Sequence, residues 1–472
     1  LSDTVVRVLA DFASGARFED LPPEVVEETK RILLDSIGCA LGGVSAPKGA
    51  IGGRLAHLMG EGGSATIIGR GRRASVFGAA FANGELINAL DFDAILPPGH
   101  VAPYVIPGAL AVAEEGHTAG RELITATAVA HEMSYRFGKS MDYHRDTSGE
   151  KADTPGVLGF ASTVFGATAA VGSVRGLPGE TVADALGIAG SISPVNSHRS
   201  WLMHAPTSTI KYTMAGPIVQ AALTASFSAE YGHTGDQLIL DDAEYGYRRF
   251  IGARRWAPEN LVGELGSTWR FPAESTHKPY PHCRVMHAPF DALTEILESN
   301  DIRPGEIEGI RAWGEGWVQL PVWLNDRIEQ IHDGQFSIDH GLAVAAQRIR
   351  PGPAWQSPEV VHSEQVLGLM EKVTFQGHPD AISALNRDPR SRPTRIEVDA
   401  RGTTFAAERR YPKGTPSPEP ETYMTTEELA EKFRVNAAEV LSPQQAEDAV
   451  DALLNLERLD DVGKLMGFVS VA

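Results

Sequence analysis

The chain has 472 residues, with 42 Lys plus Arg against 61 Asp plus Glu and a formal net charge of −19. That balance argues against nucleic acid or an anionic membrane as partner, since both reward a basic face, but a pocket with a few local cations can still take a small anion. The length exceeds one ordinary core and points to two domains. Two cysteines, Cys39 and Cys283, and no basic apolar leader point to a reduced, cytoplasmic setting, and no apolar run approaches the roughly 18 residues of a membrane span.

In chain order, the first half reads as helices rich in small residues. The segment from Pro22 to Leu41 carries prolines where a first helical turn tolerates them. Val26, Leu33, Ile37 and Leu41 follow near helical spacing, and Gly42 and Gly43 close it. Similar Ala/Gly-rich patterns run through residues 109–115, 122–137, 166–174, 181–189 and 216–231, which suits close helix packing in an all-helical domain. After about Ser267 helical stretches such as 289–297 alternate with short β-like runs at 309–313, 372–375, 394–398 and 403–409. The last two flank an Asp399-Ala400-Arg401-Gly402 turn that reads as a hairpin. The stretch from Pro412 to Pro420 reads as a linker, and 425–466 returns to helix, with Thr425 or Thr426 as N-cap and Glu428 available for a capping box.

Four patches carry chemistry. Residues 83–100 read NGELINALDFDAILPPGH, placing Asp91 and Asp93 before a Pro/Gly turn that bears His100. Carboxylates two apart in a loop can face one cavity, and an Asp beside a His orients an acid or base; a capping Asp and a solvent histidine are the competing reading. Residues 208–216 read STIKYTMAG, with Lys211 at the entry to a small-residue helix, where a lysine and backbone amides can hold a carboxylate. Residues 277–287 read HKPYPHCRVMH. There Lys278 can bind a carboxylate or a developing enolate, Arg284 can add a second anion contact, and His282 and Cys283 offer acid, base or thiolate chemistry. A zinc site is the rival reading, but adjacent His and Cys rarely bind one ion, and no second ligand pair follows, so no metal is expected. Residues 335–346 read QFSIDHGLAVAA and put His340 on the first turn of an apolar helix, as a substrate contact or a packing residue.

Together these patches resemble the MmgE/PrpD family, which includes 2-methylcitrate dehydratase, cis-aconitate decarboxylase and iminodisuccinate epimerase. The resemblance spans LLDSIGCALGG at 33–43, ANGELINALDFD at 82–93, FGATAA at 165–170, KYTMAG at 211–216 and YGHTG at 231–235. It continues through KPYPHCRVMHAPFDA at 278–292, QFSIDHGLAVAA and TTEELAEKF at 425–433. It implies a mainly α protein: a large helical domain from residues 1–268 with 412–472, and a smaller α+β lid domain, 269–411, closing over the site, in a homodimer without metal or organic cofactor. Members act on small di- or tricarboxylates, moving a proton or losing CO2 beside a carboxylate. The family's site residues fall on Asp91, His100, Lys211, Lys278 and Cys283, the last where relatives often hold histidine. His287 matches the histidine opening the next helix, and His340 falls where a tyrosine is common.

There are departures. The family's DFDD is DFDA here, with Ala94 in place of a carboxylate, and the HP after the loop is His100-Val101. No histidine stands in 150–162, where relatives carry one, and the LHAG histidine is Met214; His144, His204 or His282 are the available substitutes. The leading expectation is a cofactor-independent dehydratase-type lyase on a small hydroxy-carboxylate. In it His100, oriented by Asp91, is an acid or base, Lys211 and Lys278 bind carboxylates and stabilise an enolate, and His282 or Cys283 is the second proton carrier. An epimerase or decarboxylase of a related acid is the alternative, and an inactive ligand-binding homologue is a third reading. The altered pocket leaves room for a substrate bulkier or less charged than a tricarboxylate.

Overall fold

A computed structural model describes residues 4–142, 145, 147–148, 151–152, 155–195, 198–211 and 214–471. The helix Pro23–Gly42 starts on a proline, whose missing N–H costs nothing in a first turn, and ends at Gly43 as the sequence anticipates. Its one-sided apolar stripe understates its burial. Helices Val76–Ile87 and Gly120–Ser140 flank it, and the C-terminal helix Thr426–Ala437 packs along it. Polar Glu28, Arg31 and Asp35 are therefore buried with Leu33 and Ile37, and each must find a partner inside. The remaining small-residue patterns form the helices Ala102–Glu115, Thr163–Val174, Gly179–Ser191 and Ala215–Glu230; the first three are longer than their apolar patterns, and the last is shifted by one residue. No described helix is long and apolar enough to cross a membrane.

The later part carries a four-stranded sheet in the order Thr403–Arg409, Thr394–Ala400, Ile307–Gly314, Val373–Gly377; the last pair is parallel and the others antiparallel. Thr403 pairs with Ala400, so the hairpin turn is the two residues Arg401 and Gly402, at φ 54° and 69°. Two left-handed residues match a type I′ turn, whose twist suits the flanking strands. Alternate residues Thr394, Ile396, Val398 and Ala400 are buried on one face, and the helix His287–Ser299 packs against these two strands. The fold is mainly α with a small α+β part, as expected from the sequence.

The stretch 412–420 differs from its reading as a linker. Arg284 donates to the carbonyls of Pro412 (3.3 Å) and Lys413 (2.7 Å) and to the Thr415 hydroxyl. Gly414, at φ 87°, lies so close to the His277 carbonyl that a Cβ would stand 1.7 Å from it. Prolines here stiffen a packed segment rather than a spacer. Beyond it, Thr425 caps the helix Thr426–Ala437 through a reciprocal box with Glu428, again as expected. The region to Met466 is not one helix: Pro443–Leu454 and Val462–Phe468 follow as separate elements, started by Ser442 and Asp461 caps.

Lys432 on that helix fastens the parts together. Its ammonium is buried and bonds Asp35 Oδ1 at 2.6 Å, the Phe92 carbonyl at 2.7 Å and the Lys278 carbonyl at 3.0 Å, while Asp35 Oδ2 accepts the Ala94 amide at 2.9 Å. Burial works against this charge, but Asp35 and Cys39 outweigh it and the Lys432 pKa is raised. Replacing Lys432 with Met leaves Asp35 buried and unpaired, a loss of about 3–5 kcal/mol. Denaturant titration should therefore show K432M well below the parent and the double variant K432M/D35N recovering more than half of the loss. Equal losses in both would rule out the pair as the fastening.

Candidate active site

Asp91 and Asn88 follow the C-terminal end of the Val76–Ile87 helix, and His100 closes a small hairpin in which Ile95 pairs with His100 and Leu96 with Gly99. The same Ile95 exchanges backbone bonds with Thr276 (2.8 and 2.9 Å), two residues before Lys278. Gly99 is needed in that hairpin: its φ is 152°, and a Cβ would meet the Phe160 ring at 2.5 Å. Side-chain amides complete the alignment. Gln335 donates to the Ala89 carbonyl (2.9 Å), and Gln356 donates to the carbonyls of Leu90 (2.7 Å) and Pro281 (2.8 Å).

These ties bring Asp91, His100, Lys211 and Lys278 into one cluster. Lys278 Nζ lies 2.6 Å from Asp91 Oδ2 and donates to the Asp91 carbonyl at 2.8 Å. Lys211 Nζ lies 3.4 Å from Oδ1 and donates to the Asn88 carbonyl at 2.9 Å. Asp91 and Lys211 both hold left-handed backbone, at φ 54° and 58°. For a lysine this is an uncommon conformation, of order 1–3 kcal/mol in cost, and such positions persist where surrounding contacts over-determine them. Burial alone would raise the Asp91 pKa; Lys278, then Lys211 and His100, reverse this and hold the carboxyl well below its ordinary range. Burial brings Lys211 down to about 8, with Asp91 opposing.

His100 is oriented differently from expectation. Its Nδ1 lies 2.7 Å from Asp93 Oδ2, while Asp91 faces Nε2 at 3.4 Å. Asn88 holds Asp93 Oδ1 at 3.1 Å. A carboxylate on Nδ1 sets the ring orientation and leaves Nε2 toward the cavity. The i, i+2 spacing of Asp91 and Asp93 was legible; which of them grips the ring was not.

A cavity of about 80 Å³ opens beside Asp91, His100, Lys278 and Cys283. The Cys283 thiol accepts from Trp323 Nε1 at 3.4 Å, and burial followed by the Asp91 charge pushes its pKa up, so it is a thiol rather than a thiolate. His282 is turned into the core instead: its ring stands edge-on to Phe290 at 5.1 Å, Nε2 lies 3.3 Å from the Ser337 carbonyl, and burial lowers it to about 3. His340 also points away, with Nε2 on the Val361 carbonyl at 2.9 Å. Arg284 touches the cavity, but its guanidinium is occupied by the Pro412 and Lys413 carbonyls, the Thr415 hydroxyl and His287; burial, then Arg392, lowers it to about 9. His277 bonds Glu28 at 2.8 Å and His287 bonds the His282 carbonyl at 3.0 Å, so both are scaffold contacts.

Of the substitutes for the missing histidines, His204 is exposed and His144 lies outside the described residues. The histidine that does line the cavity is His198, which sequence reading passed over. Its ring packs 6.2 Å from Phe160, which also neighbours His100 at 6.5 Å, and burial, then Arg199, lowers it to about 3. Trp201, Trp317, Trp323 and Arg392 also reach the cavity and carried no motif to reveal them. Among the described residues no three His, Cys, Asp or Glu side chains gather as metal ligands.

The profile of the MmgE/PrpD N-terminal domain matches residues 7–259, and that of the MmgE/PrpD C-terminal domain matches 280–458. The chain belongs to the MmgE/PrpD family. Its similarity to named relatives is low but runs end to end. A cis-aconitate decarboxylase of Aspergillus terreus is 26% identical over 98% of this chain and 95% of its own length. The human cis-aconitate decarboxylase is 24% identical over 98% and 94%, and the mouse enzyme 25% identical over 98% and 92%. These MmgE/PrpD relatives agree with a lyase.

Because Lys211 is charged below its lowered pKa and neutral above it, any step that uses this cation weakens as pH rises through about 8. The Lys211→Arg variant, whose guanidinium stays charged, should move the basic limb of a kcat–pH profile up by at least about one unit. The same limb in both proteins would remove Lys211 from that role.

Proposed function

We propose that this chain is a lyase that releases CO2 from a small unsaturated carboxylate, with proton return by His100. The observation that carries this is the pair of lysines converging on Asp91 beside one carboxylate-oriented histidine. Decarboxylation asks for two things only: a place for the electron pair left when the C–CO2 bond breaks, and one proton donor. The pair delocalises into the neighbouring unsaturated acid as a dienolate, which Lys278, with Lys211 behind Asp91, stabilises electrostatically. His100, aligned by Asp93, then delivers a proton to carbon and regains one from solvent. Preorganised cations in a buried site act without waiting for solvent to reorient, so they contribute most where water is excluded. The decarboxylase names of the relatives support the same reaction class.

Dehydratase chemistry is the second reading, and His198 is the observation that favours it. Removing a hydroxyl and a Cα proton needs two proton carriers, and His282, expected as the second, is packed against Phe290. His198 at the cavity wall is the other imidazole placed where it can exchange a proton with a bound acid.

Incubating the protein with a panel of unsaturated and hydroxy acids in deuterated water separates the two. Decarboxylation gives CO2 and a product bearing one new C–D bond; dehydration gives an ultraviolet-absorbing enoate without CO2. Lys278→Ala and His100→Ala should each lower CO2 release by roughly 10² or more. Near-parental turnover in both variants would end the assignment.

A further inference from the structure

One wall of the cavity is aromatic. Phe160, Trp201, Trp317, Trp323 and Phe336 face it together with Leu158. These rings are fixed rather than loosely placed. Trp317 and Trp323 meet edge-on at 5.2 Å and 89°, and Trp201 stands edge-on to Phe336 at 4.7 Å and 78°. The indole N–H of Trp317 donates to Glu315, and that of Trp323 to Cys283 Sγ. Each indole has a single donor, so these two rings offer a ligand only carbon surface.

Apart from Lys278, which the reaction above uses, the positive groups at the cavity are already engaged. Arg284 serves Pro412, Lys413, Thr415 and His287. Arg392 is paired with Glu315, a carboxylate that also binds Arg145 at 2.5 Å. Every carboxylate brought out of water needs cations or donors to replace its hydration, and an unreplaced one costs several kcal/mol. The reaction proposed above itself requires two: the carboxylate that leaves and the one that accepts the electron pair. A third would have to lie against tryptophan.

We propose that the substrate is an unsaturated dicarboxylate with an alkyl branch where cis-aconitate carries its central carboxylate, and that the Trp201, Trp317 and Trp323 wall selects that branch. This rests on the lyase reading for the count of two carboxylates, while the preference for an apolar branch rests on the wall alone. A hydrophobic pocket gains from matching carbon surface and rejects a charge of the same size through its desolvation.

The test uses two unreactive, saturated ligands of matched size. 3-Isopropylglutarate and tricarballylate have the same number of non-hydrogen atoms and differ in whether the central carbon bears an isopropyl group or a carboxylate. Isothermal titration of the full chain should show 3-isopropylglutarate binding at least about tenfold more tightly. Trp323→Gln and Trp201→Gln should each erase most of that advantage, with the Kd for tricarballylate changing less than about threefold. Equal or tighter binding of tricarballylate by the parent overturns the proposal, as does no heat from 3-isopropylglutarate at millimolar concentration. Either result stands apart from the lyase reading, because binding is read without turnover; a chain that prefers 3-isopropylglutarate but releases CO2 from no acid would sink the lyase and keep the selecting wall.

Discussion

A carboxylate sealed from water has to be neutralised where it stands, and at Asp91 this falls to two lysines distant in the sequence. Lys211 is 120 residues away and Lys278 187. The arrangement holds only if three stretches of chain arrive together. Either lysine left without Asp91, or Asp91 without them, would be a buried uncompensated charge. That constraint explains why Asp91 and Lys211 accept left-handed backbone: the surrounding bonds set their positions, and local preference yields.

The scaffold around the cluster is polar and buried, which is where specificity of assembly resides. Lys432 holds the carbonyls beside Asp91 and at Lys278, while Gln335 and Gln356 hold those of 89, 90 and 281. Each of these carbonyls lies outside the helices and strands and would otherwise be an orphan acceptor. Satisfying them with side chains from another part of the chain serves two ends at once: it removes the desolvation cost and brings the Asp91 and Lys278 loops into register. The 412–415 segment is fastened the same way by Arg284, and for this reason an apparent linker is part of the wall.

The net charge of −19 says little about such a site. Inside, the local balance is set by Asp91 and Asp93 against His100 and two lysines, and by Glu315 against Arg145 and Arg392. What remains of the cavity surface is largely aromatic carbon. An apolar wall strengthens every electrostatic contact made beside it, because the field of a lysine is little screened there. It also restricts how much charge a ligand can carry in with it.

By itself the sequence determined the element types and the reactive loops. Proline and glycine at helix ends, alternation in 394–400 and the Thr425 capping box are local codes read over a few residues, and local physics honours them. The motif order was also enough for the family, and it named Asp91, His100, Lys211 and Lys278 as a group. Only the tertiary structure decided that Asp93 rather than Asp91 grips His100 Nδ1, that His282 turns into the core while Cys283 and His198 meet the cavity, and that three tryptophans form one wall. Those outcomes depend on which side chain can be desolvated at least cost among neighbours hundreds of residues apart, and no local pattern carries that comparison.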